Sequence, residues 1–306
     1  MSDRTTDRLG YRPSHLALLA HLGALVFGLV GILIMLPHPE LWADDPNAVR
    51  VFNFSIEHAG SIHILFGAAA MFAFGAASIG LGRTAVFFVV SCSFSLTSEL
   101  LGTGTGWPFG NYAYTDYLGW KVLGHVPFSI PLSWFYVGFA CYLVARQFVA
   151  GLGVSRQSLW TLAGAVWLLT VWDLVLDPAM AHDSLRIKFW EWSETGPYFG
   201  MPVKNFIGWS ITGLLYMGVS RLVWRSELKP GSFKVGVPLI IYLANMVFAM
   251  ALSASVGLWI PIVLAIALGV VPALSILGGD DRRPRRGPGR APAAPQLVWP
   301  ASISRG

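Results

Sequence analysis

Charged side chains are scarce in this chain of 306 residues: Asp, Glu, Lys and Arg make up 12% of it, about half the share of a soluble domain. That shortage excludes an ordinary soluble globule. Cysteine is nearly missing too. Cys92 and Cys141 are the only two, and both lie inside apolar runs, so they suggest neither a disulfide framework nor a metal site. The net charge of +5 comes from Lys and Arg spread over short loops, which is no nucleic-acid footprint. Gly-Thr-Gly-Thr-Gly at 102–106 has no strand before it, so it is not read as a phosphate-binding loop.

What fills the chain instead is apolar. Hydrophobic residues account for 55%, and runs of roughly 20 of them recur, each able to cross about 30 Å of hydrocarbon as a helix. Helices are expected at 15–36, 61–80, 84–101, 127–149, 158–177, 205–224, 235–252 and 256–277, with Ser253, Ser255 and Gly257 marking the last turn. The fold class is therefore all-α, a polytopic transmembrane bundle of about eight spans. The first run is too long for a signal segment and is followed by further spans, so it is read as retained. Residues 1–278 form the transmembrane domain, and 279–306 read as a disordered basic tail near anionic lipid headgroups.

Eight spans put both termini on one side, and that side would hold 16 of the 21 Lys and Arg residues. Basic loops stay cytoplasmic, so a multi-pass cell-membrane protein with both termini inside is expected. The stretches 37–60, 102–126 and 178–204 then face outward. The last two are dense in Gly, Pro, Trp, Tyr and Phe, which suggests structured caps over the helix ends.

Those caps contain an echo. Thr105-Gly106-Trp107-Pro108-Phe109-Gly110 and Thr195-Gly196-Pro197-Tyr198-Phe199-Gly200 both read T-G-x-x-F-G. Each is followed by a proline opening the next helix and a tryptophan seven residues later, Pro127 with Trp134 and Pro202 with Trp209. Each is preceded by a helix with acid near its outer end. The paired helices run the same way, so a duplication would be a parallel repeat about an axis along the membrane normal.

Few charges lie within spans. Glu99 is near the end of the third, and Asp173 and Asp177 share a face of the fifth, about 6 Å apart. A carboxyl group in hydrocarbon is costly and marks a functional candidate, and one kept out of water suits proton donation near neutral pH. Glu57 with His58, at the outer mouth of the second span, forms a candidate proton relay. His63 completes E-H-x-x-x-x-H with them, but that is not a metal-ligand spacing and no third ligand is evident, so no metal is assigned. His15, His21, His125 and His182 read as interfacial. The aromatics near the acids anchor and pack by default. Their alternative role is to line a pocket for a long conjugated apolar substrate and to stabilise a carbocation with their ring faces. The pocket candidates are Trp107, Phe109, Tyr112, Tyr114, Trp134, Trp172, Tyr198, Phe199 and Trp209, with Asn205 as a polar group beside them.

The block from Glu99-Leu100-Leu101-Gly102 through Gly106-Trp107-Pro108-Phe109-Gly110-Asn111-Tyr112-Ala113-Tyr114 to Pro131-Leu132-Ser133-Trp134 resembles the membrane-embedded carotenoid biosynthesis proteins. So does Trp172-Asp173-Leu174-Val175-Leu176-Asp177-Pro178, with Trp190-Glu191-Trp192, Gly196-Pro197-Tyr198-Phe199-Gly200-Met201-Pro202 and Asn205-Phe206-Ile207-Gly208-Trp209. This is the family of γ-carotene 1′-hydratase and bisanhydrobacterioruberin hydratase. The matching blocks cover about a third of the chain and leave out the first helix and the tail. The resemblance implies cofactor-free addition of water across the terminal C1–C2 double bond of an acyclic ψ end group, as in lycopene or γ-carotene, giving a tertiary 1-hydroxy carotenoid. It implies an apolar carotenoid as substrate, membrane lipid as surroundings, no nucleic acid, and other carotenoid-pathway enzymes as candidate partners. On this reading Asp173 donates the proton, Glu99 positions water and Asp177 supports either. Two other readings stay open. The same cation could close a ring or attack a prenyl donor, although D-x-x-x-D occurs here once and beside a proline. A proton-coupled transporter would also use intramembrane acids, although these cluster at the outer helix ends.

Overall fold

A computed structural model describes residues 3–152, 155–226, 228 and 233–277, with side chains from Tyr11 onward. The expected tail at 279–306 lies outside the described residues. Helix α1 (Asp3–Val30) runs on into a π-helical turn, Gly31–Met35. It is followed by α2 (Pro46–Ser78), α3 (Leu81–Thr105), α4 (Ser129–Leu152), α5 (Gln157–Met180), α6 (Val203–Trp224) and α7 (Gly236–Ser255). The last helical segment is α8 (Trp259–Ala265), a π turn at Ile266–Val270, and α9 (Val271–Leu274). Among the described residues seven helices are long and apolar enough to cross a membrane, and Trp259–Leu274 is a shorter apolar one. The chain folds as an all-α polytopic membrane bundle.

Several boundaries differ from the sequence expectation. Helix α2 begins at Pro46, not near 61, because the Asp45 side chain accepts the Asn47 amide at 2.8 Å and Pro46 occupies the first turn. At 1.5 Å per residue it is about 50 Å long, so it overshoots the hydrocarbon and turns much of the supposed 37–60 loop into helix. Helix α3 continues to Thr105 and stops at Gly106, whose φ of 75° lets its amide cap the Gly102 carbonyl at 2.8 Å. Pro178 does not end α5, which runs on to Met180. A proline inside a helix leaves the carbonyl four residues earlier without its amide. Here the Tyr198 hydroxyl donates to that carbonyl, Leu174 O, at 3.2 Å. The prolines of the echo stand just outside their helices: Pro127 is in a strand two residues before α4, and Pro202 is the N-cap of α6.

Helix α4 is the axis of the bundle, packed against α2, α3, α5 and α7. Nearly all its residues from Ser129 to Arg146 are buried. The pairs α3–α4 and α5–α6 pack reciprocally, α3 on α6 and α5 on α4, as a repeat about a common axis requires. Gly110 and Gly200, matched in the echo, both take positive φ, 123° and 90°.

The two long loops after α3 and α5 do fold as caps, and they zip together. Strand β1 (Tyr112–Tyr114) pairs antiparallel with β4 (Trp190–Trp192), Ala113 opposite Glu191. A second small ladder joins β2 (Lys121–Val122) to β3 (Val126–Pro127). The Ser193 amide donates to Asn111 O at 2.8 Å, and Glu194 accepts from the Asn111 amide and pairs with Lys204 at 2.8 Å. The lid thus closes over one end of α3 to α6, the C-terminal ends of α3 and α5 and the N-terminal ends of α4 and α6.

Candidate active site

Glu99 lies in the last two turns of α3, buried under the lid. Its surroundings follow from strand geometry. Residues two apart in a strand share a face, so Tyr112 and Tyr114 of β1 both present hydroxyls to Glu99 Oε2. Tyr112 donates a close hydrogen bond and Tyr114 one of 2.9 Å. From α4 the Trp134 indole donates to Oε1 at 2.9 Å. Burial, and then the neighbouring Glu99, push both tyrosine hydroxyls well above their usual range, so they remain donors. Glu99 is thus supplied with three donors, the partner set of a carboxylate.

Asp173 and Asp177 are both buried on one face of α5. The Asn205 amide in the first turn of α6 donates to both and so bridges them, 3.1 Å to Asp173 Oδ2 and 2.6 Å to Asp177 Oδ2. Asp173 Oδ1 has no protein donor.

Glu99 and Asp177 face a common cavity of about 80 Å³, room for roughly two or three waters or for the tip of one branched hydrocarbon. Its walls are aromatic. Trp134 and Trp209 stack with centroids 3.9 Å apart, and Trp172 meets Trp209 edge-on at 5.7 Å. Phe109, Tyr112, Trp190 and Trp192 complete the lid side. The indole N–H groups of Trp172 and Trp192 have no protein acceptor. A second polar chain backs the opposite wall. The Tyr136 hydroxyl donates to Asn245 Oδ1 at 2.8 Å, Asn245 Nδ2 donates to His21 Nε2 at 3.2 Å, and His21 Nδ1 donates to the His63 carbonyl at 2.7 Å.

Residues 59–272 match a family described as carotenoid biosynthesis protein. The chain belongs to the carotenoid biosynthesis protein family. It is also similar to the bisanhydrobacterioruberin hydratase of Haloarcula japonica, 29% identical over 260 residues that cover 80% of each chain. No solved structure matches it.

Of the residues singled out in the sequence of this carotenoid biosynthesis family member, Glu99, Asp177, Phe109, Tyr112, Tyr114, Trp134, Trp172, Asn205 and Trp209 line the cavity. Asp173 stands behind Asp177, outside the lining. Three aromatics are not on the wall: Trp107 is 60% exposed, Tyr198 holds the α5 carbonyl, and Phe199 packs edge-on against Tyr198. Glu57 and His58 lie on the exposed face of α2, 3.8 Å apart and away from the cavity. His21 is fully buried, not interfacial. Sequence reasoning passed over Tyr136 and Asn245. The available signal was Asn245 itself, a lone amide in an otherwise apolar span.

Proposed function

We propose that this protein is a carotenoid hydratase that adds water across the terminal C1–C2 double bond of an acyclic ψ end group. The observation that carries the reading is one aromatic-walled cavity lined by both a donor-supplied carboxylate, Glu99, and a second carboxyl, Asp177. The name of the Haloarcula relative and the family membership agree with it.

The reaction transfers no electrons and no activated group, so a proton donor and a proton acceptor suffice. The Asp173–Asp177 pair carries one proton between its two carboxyls, since two buried like charges bridged by one amide do not both ionise. Asp177, the member facing the cavity, protonates C2 of the trisubstituted alkene and leaves a tertiary cation at C1. The faces of Trp134, Trp172 and Trp209 stabilise that cation. Water, held by Glu99 and the free indole N–H groups, attacks C1 through its oxygen and gives a proton to Glu99. Return of that proton to the aspartate pair closes the cycle with one water added. Asp173 holds the shared proton in place, and Asn205 fixes both carboxyls. The basic-residue distribution supports an outward-facing cavity and a cytoplasmic N terminus in the cell membrane.

The test is pigment mass and retention from cells making lycopene or γ-carotene, with and without the protein. A more polar product heavier by one water supports the proposal. A product of unchanged mass and altered absorption refutes it in favour of ring closure. No new pigment from well-expressed protein refutes it as well.

A further inference from the structure

The acid cavity is far too small for a carotenoid, so the polyene must lie elsewhere. A second cavity adjoins it. Between α1, α2 and the lid runs a groove of about 390 Å³, within the roughly 300–1,000 Å³ of ordinary ligand pockets. Its walls are apolar along most of their length, with Phe27, Ile32 and Met35 from α1 facing Val51, Phe52 and Ile56 from α2. Asp45 and Asn47 stand at its outer mouth. His63, Leu118, Met180 and Phe248 belong to both linings. They stand at the junction, or neck, where the groove adjoins the acid cavity. The α1 wall includes the π-helical turn at Gly31–Met35, a distortion common at functional positions.

We infer that the groove between α1 and α2 seats the polyene shaft of the substrate, and that the neck passes only a linear end group to the acids. The inference rests on the hydratase reading and extends it to selectivity. A cyclised end group is broader than an open chain and stops at the neck. The cavity beyond has room for one tip, so each binding event presents one end of the molecule. A lipid acyl chain is the competing occupant of the same groove.

Gly23 of α1 and Gly31 of its π-helical turn make a matched test. A side chain added at Gly31 or at Gly23 meets nothing within 4 Å, and of the two only Gly31 lines the groove. Gly31→Trp fills it from α1, and Ala48→Trp fills it from α2. Membranes carrying wild type, Gly31→Trp, Ala48→Trp or Gly23→Trp at equal folded amounts, judged by thermal melting in detergent, are supplied with lycopene. In parallel they receive a short acyclic terpenoid bearing the same isopropylidene terminus. Both groove variants should lose roughly tenfold or more in lycopene hydration while keeping the short substrate, and Gly23→Trp should match wild type on both. Groove variants as active as wild type on lycopene overturn the inference and leave the groove to lipid. Loss of both substrates together also overturns it, because the damage then lies in the acid cavity. Failure of wild type on both substrates instead sinks the hydratase reading itself.

Discussion

The indole rings of Trp134 and Trp209 lie face to face, 3.9 Å between centroids and 19° from parallel. Each stands seven residues after the proline that follows its copy of T-G-x-x-F-G, Pro127 or Pro202. Each comes from the first two turns of its own helix, α4 or α6, beneath the lid. One of them also donates to Glu99, so the contact between them is part of the cavity wall. The stack puts a flat aromatic surface beside the acids.

Removing the proton acceptor should stop the reaction. Glu99→Gln is expected to lower product formation in membranes by roughly 10²- to 10⁴-fold, read as hydrated pigment per folded protein by liquid chromatography with mass detection. Turnover within a few-fold of wild type would remove Glu99 from the chemistry.

The two aspartates should separate. Asp177→Asn takes the carboxyl off the cavity wall and should cost roughly 10²- to 10⁴-fold. Asp173→Asn leaves Asp177 in place with an amide neighbour, so a smaller loss is expected. If Asp173→Asn proves the more damaging, the proton comes from Asp173 and the assignment reverses.

Tyr198 offers a test of placement. Tyr198→Phe leaves the Leu174 carbonyl beside Pro178 without its donor, a loss of about 1 kcal/mol visible as a lower melting temperature. Activity per folded protein should hold, because Tyr198 is off the cavity. A raised KM with unchanged stability would return it to the substrate site.

Trp134→Phe removes both the donor to Glu99 and much of the stack on Trp209. A buried carboxylate that loses one of three donors costs about 1–3 kcal/mol, and the cation loses its best ring face. Lower stability and lower turnover are expected together, whereas Trp107→Phe, at an exposed position, should change neither.

The exposed pair on α2 should be dispensable. Glu57→Gln with His58→Ala is expected to leave hydration unchanged at every pH assayed. A shifted pH profile in the double variant would reinstate the relay.

The sequence by itself determined the membrane class, most of the spans and the candidate acids, because each is a local property. Mean apolarity over a span needs no partner, and Asp173 and Asp177 share a face through helix geometry alone. The start of α2 was also written locally, in Asp45-Pro46, but hydropathy finds where a helix meets lipid and not where it begins. What only the tertiary structure decided is which way those residues look. In water an amphipathic helix declares its inner face. In a bilayer the outer face is as apolar as the core, so nothing in α4 announces that it is the axis, nor in α5 that Asp177 rather than Asp173 meets the cavity. The partners of Glu99 come from a strand and a neighbouring helix, 13, 15 and 35 residues away. The groove between α1 and α2 belongs to neither helix alone. Such pairings arise from packing and lid closure, which bring distant residues together only once the chain has folded.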